Sequence, residues 1–230
     1  MTSHWHIPDG GYIIPPFRVT ILYDHTSWLA EFIPELAGDL REEGMEVTTC
    51  VSPDDLPGGD ICFLLSWHHI LPKESLGKYW RCLVVHESAL PKGRGWSPLT
   101  WQVLEGSGSI DVCLVEAAER VDIGKIYART MLKFTGSELV DELRAKQWHA
   151  TLILCYQTAT ALQHNPSLRG EDQAGEPTTH HRRTPKDSRL DPHKTIAEQF
   201  NLLRVVDNER YPAFFHHLGH VYELKIRKLA

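Results

Sequence analysis

Short, continuously apolar runs alternate with amphipathic stretches through the first half of the chain. Arg18–Tyr23 (RVTILY), Glu46–Val51, Ile61–Leu65 and Cys82–Val85, the last ending at His86, each read as a buried strand. Between the first two, Leu29, Phe32, Ile33, Leu36 and Leu40 form a helical stripe over Ser27–Glu43. Ser27 can cap the start of that helix and Gly44 fits its end. Pro34 falls inside it, where a proline kinks the helix or moves its start. Apolar strands with intervening helices predict an α/β fold built on a mainly parallel sheet.

The second half changes character. Pro98–Glu105 reads as a short helix, and Asp111–Val115 and Lys125–Leu132 as two strands joined by a turn around Asp122 and Gly124. Ser137 begins a long helix with Leu139, Leu143, Ala150 and Leu154 on one face. From His164 to Pro192 apolar residues nearly vanish, and a loop of that length is usually functional or mobile. Asp191-Pro192 has the N-cap and N1 chemistry of a helix start, continued by Ile196, Phe200 and Leu203. A final strand alternates Tyr222, Leu224 and Ile226 with Glu223, Lys225 and Arg227. The expected organisation is a lead-in over 1–17, a core over 18–163 and a polar loop with a C-terminal extension over 164–230.

Composition narrows the class. At 230 residues, 42% hydrophobic and 23% charged, the chain suits one sizeable domain with a small appendix and is not globally disordered. No apolar run approaches the roughly 18–20 residues of a membrane span. The net charge of −6 weighs against recognition of nucleic acid through the overall field. The five cysteines form no CxxC, and Cys50, Cys62, Cys82 and Cys113 sit in apolar runs; with Cys155 they read as buried, reduced thiols of a cytoplasmic protein. Residues 1–17 lack the basic and apolar regions of a signal peptide.

Candidate chemistry is concentrated in few places. Gly93-Arg94-Gly95 is no dinucleotide fingerprint and no Walker A sequence is present, which disfavours a nicotinamide-dependent enzyme. His216, His217 and His220 have helical ligand spacing, but Gly219 intervenes and no other ligand pattern accompanies them, so no metal site is expected. His86 lies where a buried strand ends, the place where ligands collect in open α/β sheets. Asp122 lies on a tight turn between two strands, and a histidine and an acid so placed can share one proton-transfer task.

His86–Pro91 (HESALP) followed by Lys92–Pro98 (KGRGWSP) resembles the HxSLLP…RG signature of the folate-dependent formyltransferases. Ser66–Pro72 (SWHHILP) is similar to that family's strand and loop ahead of the catalytic strand, and Asp122-Ile123-Gly124 resembles its LDxGDI turn. The likeness runs over about 18–143. It implies a Rossmann-like formyltransferase core with a small C-terminal helix and β-hairpin extension, N10-formyltetrahydrofolate as co-substrate, and His86 and Asp122 as catalytic residues. Ser88, Leu90, Pro91, Gly95 and Trp96 fall on the folate-binding part of the motif. The family's third catalytic residue, an asparagine two positions before the histidine, is Val84 here. Valine cannot donate to an oxyanion, and Ser66 and Ser88 are the nearby hydroxyls by motif position.

The acceptor is expected to be an amine on a nucleotide-linked sugar. Too few residues follow the core for the separate tRNA-binding domain that the tRNA enzymes of this family carry. His180–Pro192 instead concentrates Arg182, Arg183, Lys186 and Arg189, near a helix with Arg204, and arginine forks suit phosphate oxygens. This tail looks like that of the sugar-nucleotide N-formyltransferases, most of all the pseudaminic acid branch, with UDP-4-amino-4,6-dideoxy-N-acetyl-β-L-altrosamine as substrate. On that resemblance Arg94, Arg182, Arg183, Lys186, Arg204, Asn208 and Tyr211 are the substrate contacts, and a homodimer is an open expectation. Two alternatives stay open: formylation of a small ribonucleotide amine, and a binding module without turnover, which Val84 suggests.

Overall fold

The computed structural model describes residues 15–229. The lead-in expected over 1–17 lies mostly outside these. In chain order the elements are β1 (Arg18–Tyr23), α1 (Ile33–Glu42), β2 (Glu46–Cys50), β3 (Gly59–Leu65), α2 (Lys73–Leu76), β4 (Tyr79–His86), β5 (Arg94–Gly95), α3 (Pro98–Leu104), β6 (Ser109–Glu116), β7 (Ile126–Lys133), α4 (Val140–His164), β8 (Thr179–His180), α5 (Phe200–Val205), β9 (Ala213–His217) and β10 (His220–Leu224). Pro34 moves the start of α1. Trp28–Phe32 forms a 3-10 turn capped by Ser27, and the α-helix begins only where proline is tolerated, in its first turn.

The central sheet has six strands in the order β2-β1-β3-β4-β6-β7. β1 pairs in parallel with β2 and β3, and β3 with β4, whereas β4–β6 and β6–β7 are antiparallel. The parallel half is apolar on both faces because both are covered. Ile21, Phe63 and Leu83 face α1 and α4, where they meet Leu36, Leu40, Leu154 and Ala159. Leu22, Cys62, Leu64 and Cys82 form a second cluster with Leu71 and Tyr79. Phe63 is 0% exposed, and burial of a side chain of that size contributes about 1.5–3 kcal/mol. All five cysteines are buried and free.

The extension is fastened to the core through Glu138, which is only 4% exposed. Its carboxylate accepts the amides of Thr135 and Gly136 at the turn leading into α4, and Lys146 Nζ at 2.8 Å from the helix itself. Arg204 of α5 completes the set, with Nη1 at 3.7 Å from the carboxylate and 3.3 Å from the Glu138 carbonyl. Arg204, expected to meet phosphate, is thus 2% exposed and engaged inside the fold. Sequence shows a cation beside other cations; it does not show the acid some sixty positions upstream that claims it.

The helix expected from Asp191-Pro192 is a second correction, since α5 starts at Phe200. Asp191 spends its carboxylate on His193 N, Glu198 closes a local loop onto Thr195, and the Gln199 amide reaches back to Asp191. These side-chain bonds stabilise successive turns in place of a helical ladder. Ile196, which the helical stripe had required to be buried, is 63% exposed. His216, His217 and His220 stand on the β9–β10 hairpin, where helical ligand spacing has no meaning.

Burial raises the Glu138 carboxyl, but the Lys146 bond and the Thr135 and Gly136 amides outweigh it and hold the group at about 2, against an ordinary 4.5. A carboxyl with a depressed folded value stabilises above its unfolded value and loses that contribution as pH falls toward the folded one. The difference corresponds to about 3 kcal/mol. Glu138→Gln is therefore expected to lower stability at pH 7 by an amount of this order and to flatten the loss between pH 4.5 and 2, read by urea unfolding. Parallel pH profiles for the two proteins would contradict this.

Candidate active site

The site forms where β4 ends. Parallel pairing of Leu64 with Val84 aligns the carboxyl ends of β3 and β4, and β4 terminates at His86. The chain then folds tightly on itself: Ser88 N donates to His86 O, Leu90 N to Ser88 O, and Lys92 N to Ala89 O, with a cis Leu90–Pro91 peptide. This loop returns Gly93 O to 2.8 Å from His86 Nε2, so Nε2 carries a hydrogen and donates it to that carbonyl.

Asp122 arrives from the loop joining β6 to β7. It adopts φ +56°, a left-handed conformation uncommon outside glycine and typical of constrained functional positions. Its Oδ2 accepts Gly95 N at 2.9 Å and faces His86 Nδ1 at 3.5 Å. Both side chains are over nine-tenths buried. The pair expected from a strand end, a tight turn and the motif resemblance is therefore brought together, with one carboxylate oxygen shared between an imidazole and a backbone amide.

A strap drawn from the polar segment closes over this pair. Glu171 bridges Ile126 through both backbone groups. Gln173 Nε2 donates to Asp122 O and Gly124 O at 2.8 and 2.9 Å, while its Oε1 accepts Arg94 Nη2 at 2.6 Å. Thr178 accepts Gly93 N on its hydroxyl. β8 then pairs in parallel with β5, setting Thr179 beside Arg94 and His180 beside Gly95. Further on, the Arg182 guanidinium lies 4.6 Å from the Trp96 ring centre and that of Arg183 5.4 Å from Trp101, which also packs on His180 and His181. Burial depresses the Arg183 guanidinium despite nearby Asp187, and burial also lowers His180.

Several donors here lack partners among the described residues: Ser88 Oγ, Arg94 Nε, Arg183 Nη1 and Trp67 Nε1 are all buried and unbonded there. Trp67 opens onto a cavity of about 210 Å³ at the ends of β1, β2 and β3, lined with Asp24, His25, Val51, His68 and His69. His68 also packs on Trp96, at 5.6 Å between ring centres, so the cavity borders the loop that follows β4. A second cavity, about 460 Å³, contains Trp28, Arg144, Asp207 and Asn208. Val84 is half-buried between apolar clusters and offers no donor.

A family comparison fits this geometry. Residues 55–160 match the formyl transferase family. That span, just under half of the chain, includes His86, Asp122 and the whole loop between β4 and α3. Among solved structures, a methionyl-tRNA formyltransferase from Clostridium thermocellum superimposes with a TM-score of 0.75 at 20% identity, covering 93% of this chain and 94% of that one. HypX from Aquifex aeolicus in complex with tetrahydrofolic acid gives 0.75 at 19%, covering 91% of this chain and 37% of its own. A sugar N-formyltransferase from Shewanella gives 0.66 at 14%, covering 93% and 99%. The mixed sheet is the formyltransferase Rossmann-like fold expected from sequence.

Within that fold the other expected contacts divide. Arg94, Gly95, Trp96, Arg182 and Arg183 gather around the strap. Leu90 is buried against Cys113, Val115 and Ile126, Pro91 is buried next to it, and Ser88 lies under Gly93, so the three form the floor of the loop. Lys186 is exposed. Asn208 lines the second cavity, Tyr211 is 49% exposed, and Arg204 is interior. Sequence reasoning missed Gln173, Thr178 and His68, because their roles depend on hydrogen bonds and packing across 28 to 85 positions that no local pattern encodes.

Gly95 is the point of closest approach, with φ +96° and a Cα facing His180 O, where a side chain would collide. Gly95→Ala is expected to unpair β5 from β8 and to speed limited proteolysis between Glu171 and Arg183, with the β3–β4 amides keeping their hydrogen-exchange protection. Unchanged cleavage would show that the strap does not depend on this pairing.

Proposed function

We propose that this chain transfers a formyl group from N10-formyltetrahydrofolate to the amine of a nucleotide-linked amino sugar, UDP-4-amino-4,6-dideoxy-N-acetyl-β-L-altrosamine being the substrate its tail most resembles. The observation that carries the reading is the buried His86–Asp122 pair at the end of β4, set beneath a strap that leads into Arg182 and Arg183. Formyl transfer needs a neutral amine, a donor for the oxygen that becomes negative as the amine adds, and an acceptor for the proton the amine loses.

His86 supplies the donor. Its Nε2–H now serves Gly93 O, so the formyl oxygen must take that carbonyl's place. Asp122, held by Gly95 N, keeps Nδ1 oriented and accepts the proton the amine loses, which then goes to the departing tetrahydrofolate nitrogen as its bond to the formyl carbon breaks and the oxyanion collapses to the formamide. With Val84 in place of an asparagine, His86 has more of the oxyanion to support, and Ser88 Oγ is an unpartnered hydroxyl within the same loop. The 210 Å³ cavity is smaller than the roughly 300 Å³ and upward of ordinary ligand pockets, so it accommodates at most part of a folate.

Arg182, exposed on Trp96, and Arg183, with a guanidinium nitrogen lacking any partner, suit a diphosphate. A binding module without turnover is the second reading, favoured by Val84 and by the engaged Nε2–H.

His86→Ala and Asp122→Asn are each expected to reduce formyl transfer by at least ~10²-fold, with unchanged circular dichroism. The assay is mass spectrometry of products from UDP- and dTDP-amino sugars supplied with formyl-folate. Near-normal turnover in either variant would remove the assignment. Binding of folate and sugar nucleotide by the unmodified protein with no product at all would select the module instead. Sugar nucleotide is also expected to slow proteolysis within 164–192, and identical digestion with and without it would count against the phosphate role of Arg182 and Arg183.

A further inference from the structure

Glu87 is an acid that the mechanism above does not use, although it follows His86 directly in the chain. It is held from two helices. Gln102 of α3 donates to its backbone carbonyl at 2.7 Å, and Gln147 of α4 donates to its Oε1 at 2.5 Å. Gln102 also reaches Pro98 O, so the clamp is anchored at the first turn of α3. Glu87 is half-buried, and among the described residues no cation pairs with its carboxyl group.

We propose that Glu87 is a positioning residue for the reaction, its carboxyl group, held by Gln147, setting the charge that His86 and Asp122 work against. The inference rests on the formyl-transfer reading. Burial raises the Glu87 carboxyl above the usual carboxylate range. The His86 charge and the Gln147 bond pull it down, and the Asp122 charge pushes it up. The group is thus neutral on the acid side and becomes an anion as pH rises. As an anion it favours positive charge on the neighbouring imidazole, which strengthens His86 as a donor to a developing oxyanion.

Few other ionisable groups bear on it. α3 carries no charged residue between Pro98 and Leu104. Gln147 is neutral, and Arg144, one turn earlier on α4, is engaged by Asp207 at 2.8 Å. His86 and Asp122 are the charged groups on the strand and turn side, and His180 lies beyond His86 on the strap.

The test has two arms on the full chain. In the first, the Glu87 side-chain carboxyl is followed by carbon-13 NMR against pH, without substrate, in the unmodified protein and in His86→Gln; Glu87→Gln assigns the resonance. The expected result is a midpoint above ordinary glutamates that moves higher still when His86 is lost. A midpoint that does not move overturns the proposal, whatever the turnover.

In the second arm, formyl transfer is measured across pH for the unmodified protein and Glu87→Gln. The two rates should coincide at low pH, where both side chains are neutral. They should diverge to at least ~3-fold at high pH, equivalent to about half a pKa unit, with the difference in kcat and not in KM. A ratio constant with pH means a structural role only and overturns the proposal. A positive first arm with no product from the unmodified protein means that the formyl-transfer reading has failed, and Glu87's part in it with it, while the coupling to His86 stands.

Discussion

A parallel pairing of two residues against two, Arg94-Gly95 with Thr179-His180, is the contact on which the rest of the site depends. On one side it fixes the Gly95 amide that orients Asp122. On the other it lays Thr178 over Gly93 and Gln173 over the backbone of the Asp122 turn. His86 is rigid because it ends a strand flanked on both sides. Everything opposite His86 is loop, and loops become a site only when something outside them removes their freedom. Here that role falls to a segment over fifty positions away, almost without apolar residues, attached by main-chain bonds and by a glutamine that serves three oxygen and nitrogen partners at once.

The parts of the fold legible in sequence share one property: their signal is local and apolar. RVTILY, ICFLL and RCLVV could only be buried strands. Pro34 announced a displaced helix start, and the displacement is one 3-10 turn. His86 and Asp122 were legible because a strand end and a tight turn are local features, and the sheet then had few ways to bring them together. The strap was not legible. Its polar residues bond to backbone groups, and any polar residue can do that. The Asp191-Pro192 start misled for a related reason, since capping chemistry is equally good at making isolated turns, and Ile196 found nothing to pack on.

Charge proved the least transferable signal. Arg182, Arg183 and Arg204 look equivalent in the sequence, yet one lies exposed on a tryptophan, one is half-buried with a free nitrogen, and one closes an interior cluster with Glu138. An interior ion pair of this kind gives modest net stability but is costly to break from one side. Its value to the fold is geometric. It sets the relation between α4 and α5, and hence the path by which the tail leaves the core. The net charge of −6 conceals this sorting, because five of the ten ion pairs among the described residues lie within or reach the extension beyond residue 190, and four of them neutralise cations there before any ligand arrives.

The hydrogen bond from His86 to Gly93 O has a thermodynamic consequence. The closed loop is a competitor tethered to the same strand, so a ligand that needs the Nε2 hydrogen can use only the fraction of molecules in which the carbonyl has let go. A bond of about 0.5–1.5 kcal/mol would weaken apparent affinity by roughly 2- to 12-fold relative to a loop with no such bond. The same occupancy protects an imidazole that would otherwise stand open to water and to any stray electrophile. The glycine at 93 therefore acts as an internal placeholder, and for any ligand that needs the Nε2 hydrogen the tightness of binding would be tuned by how readily this one peptide turns away.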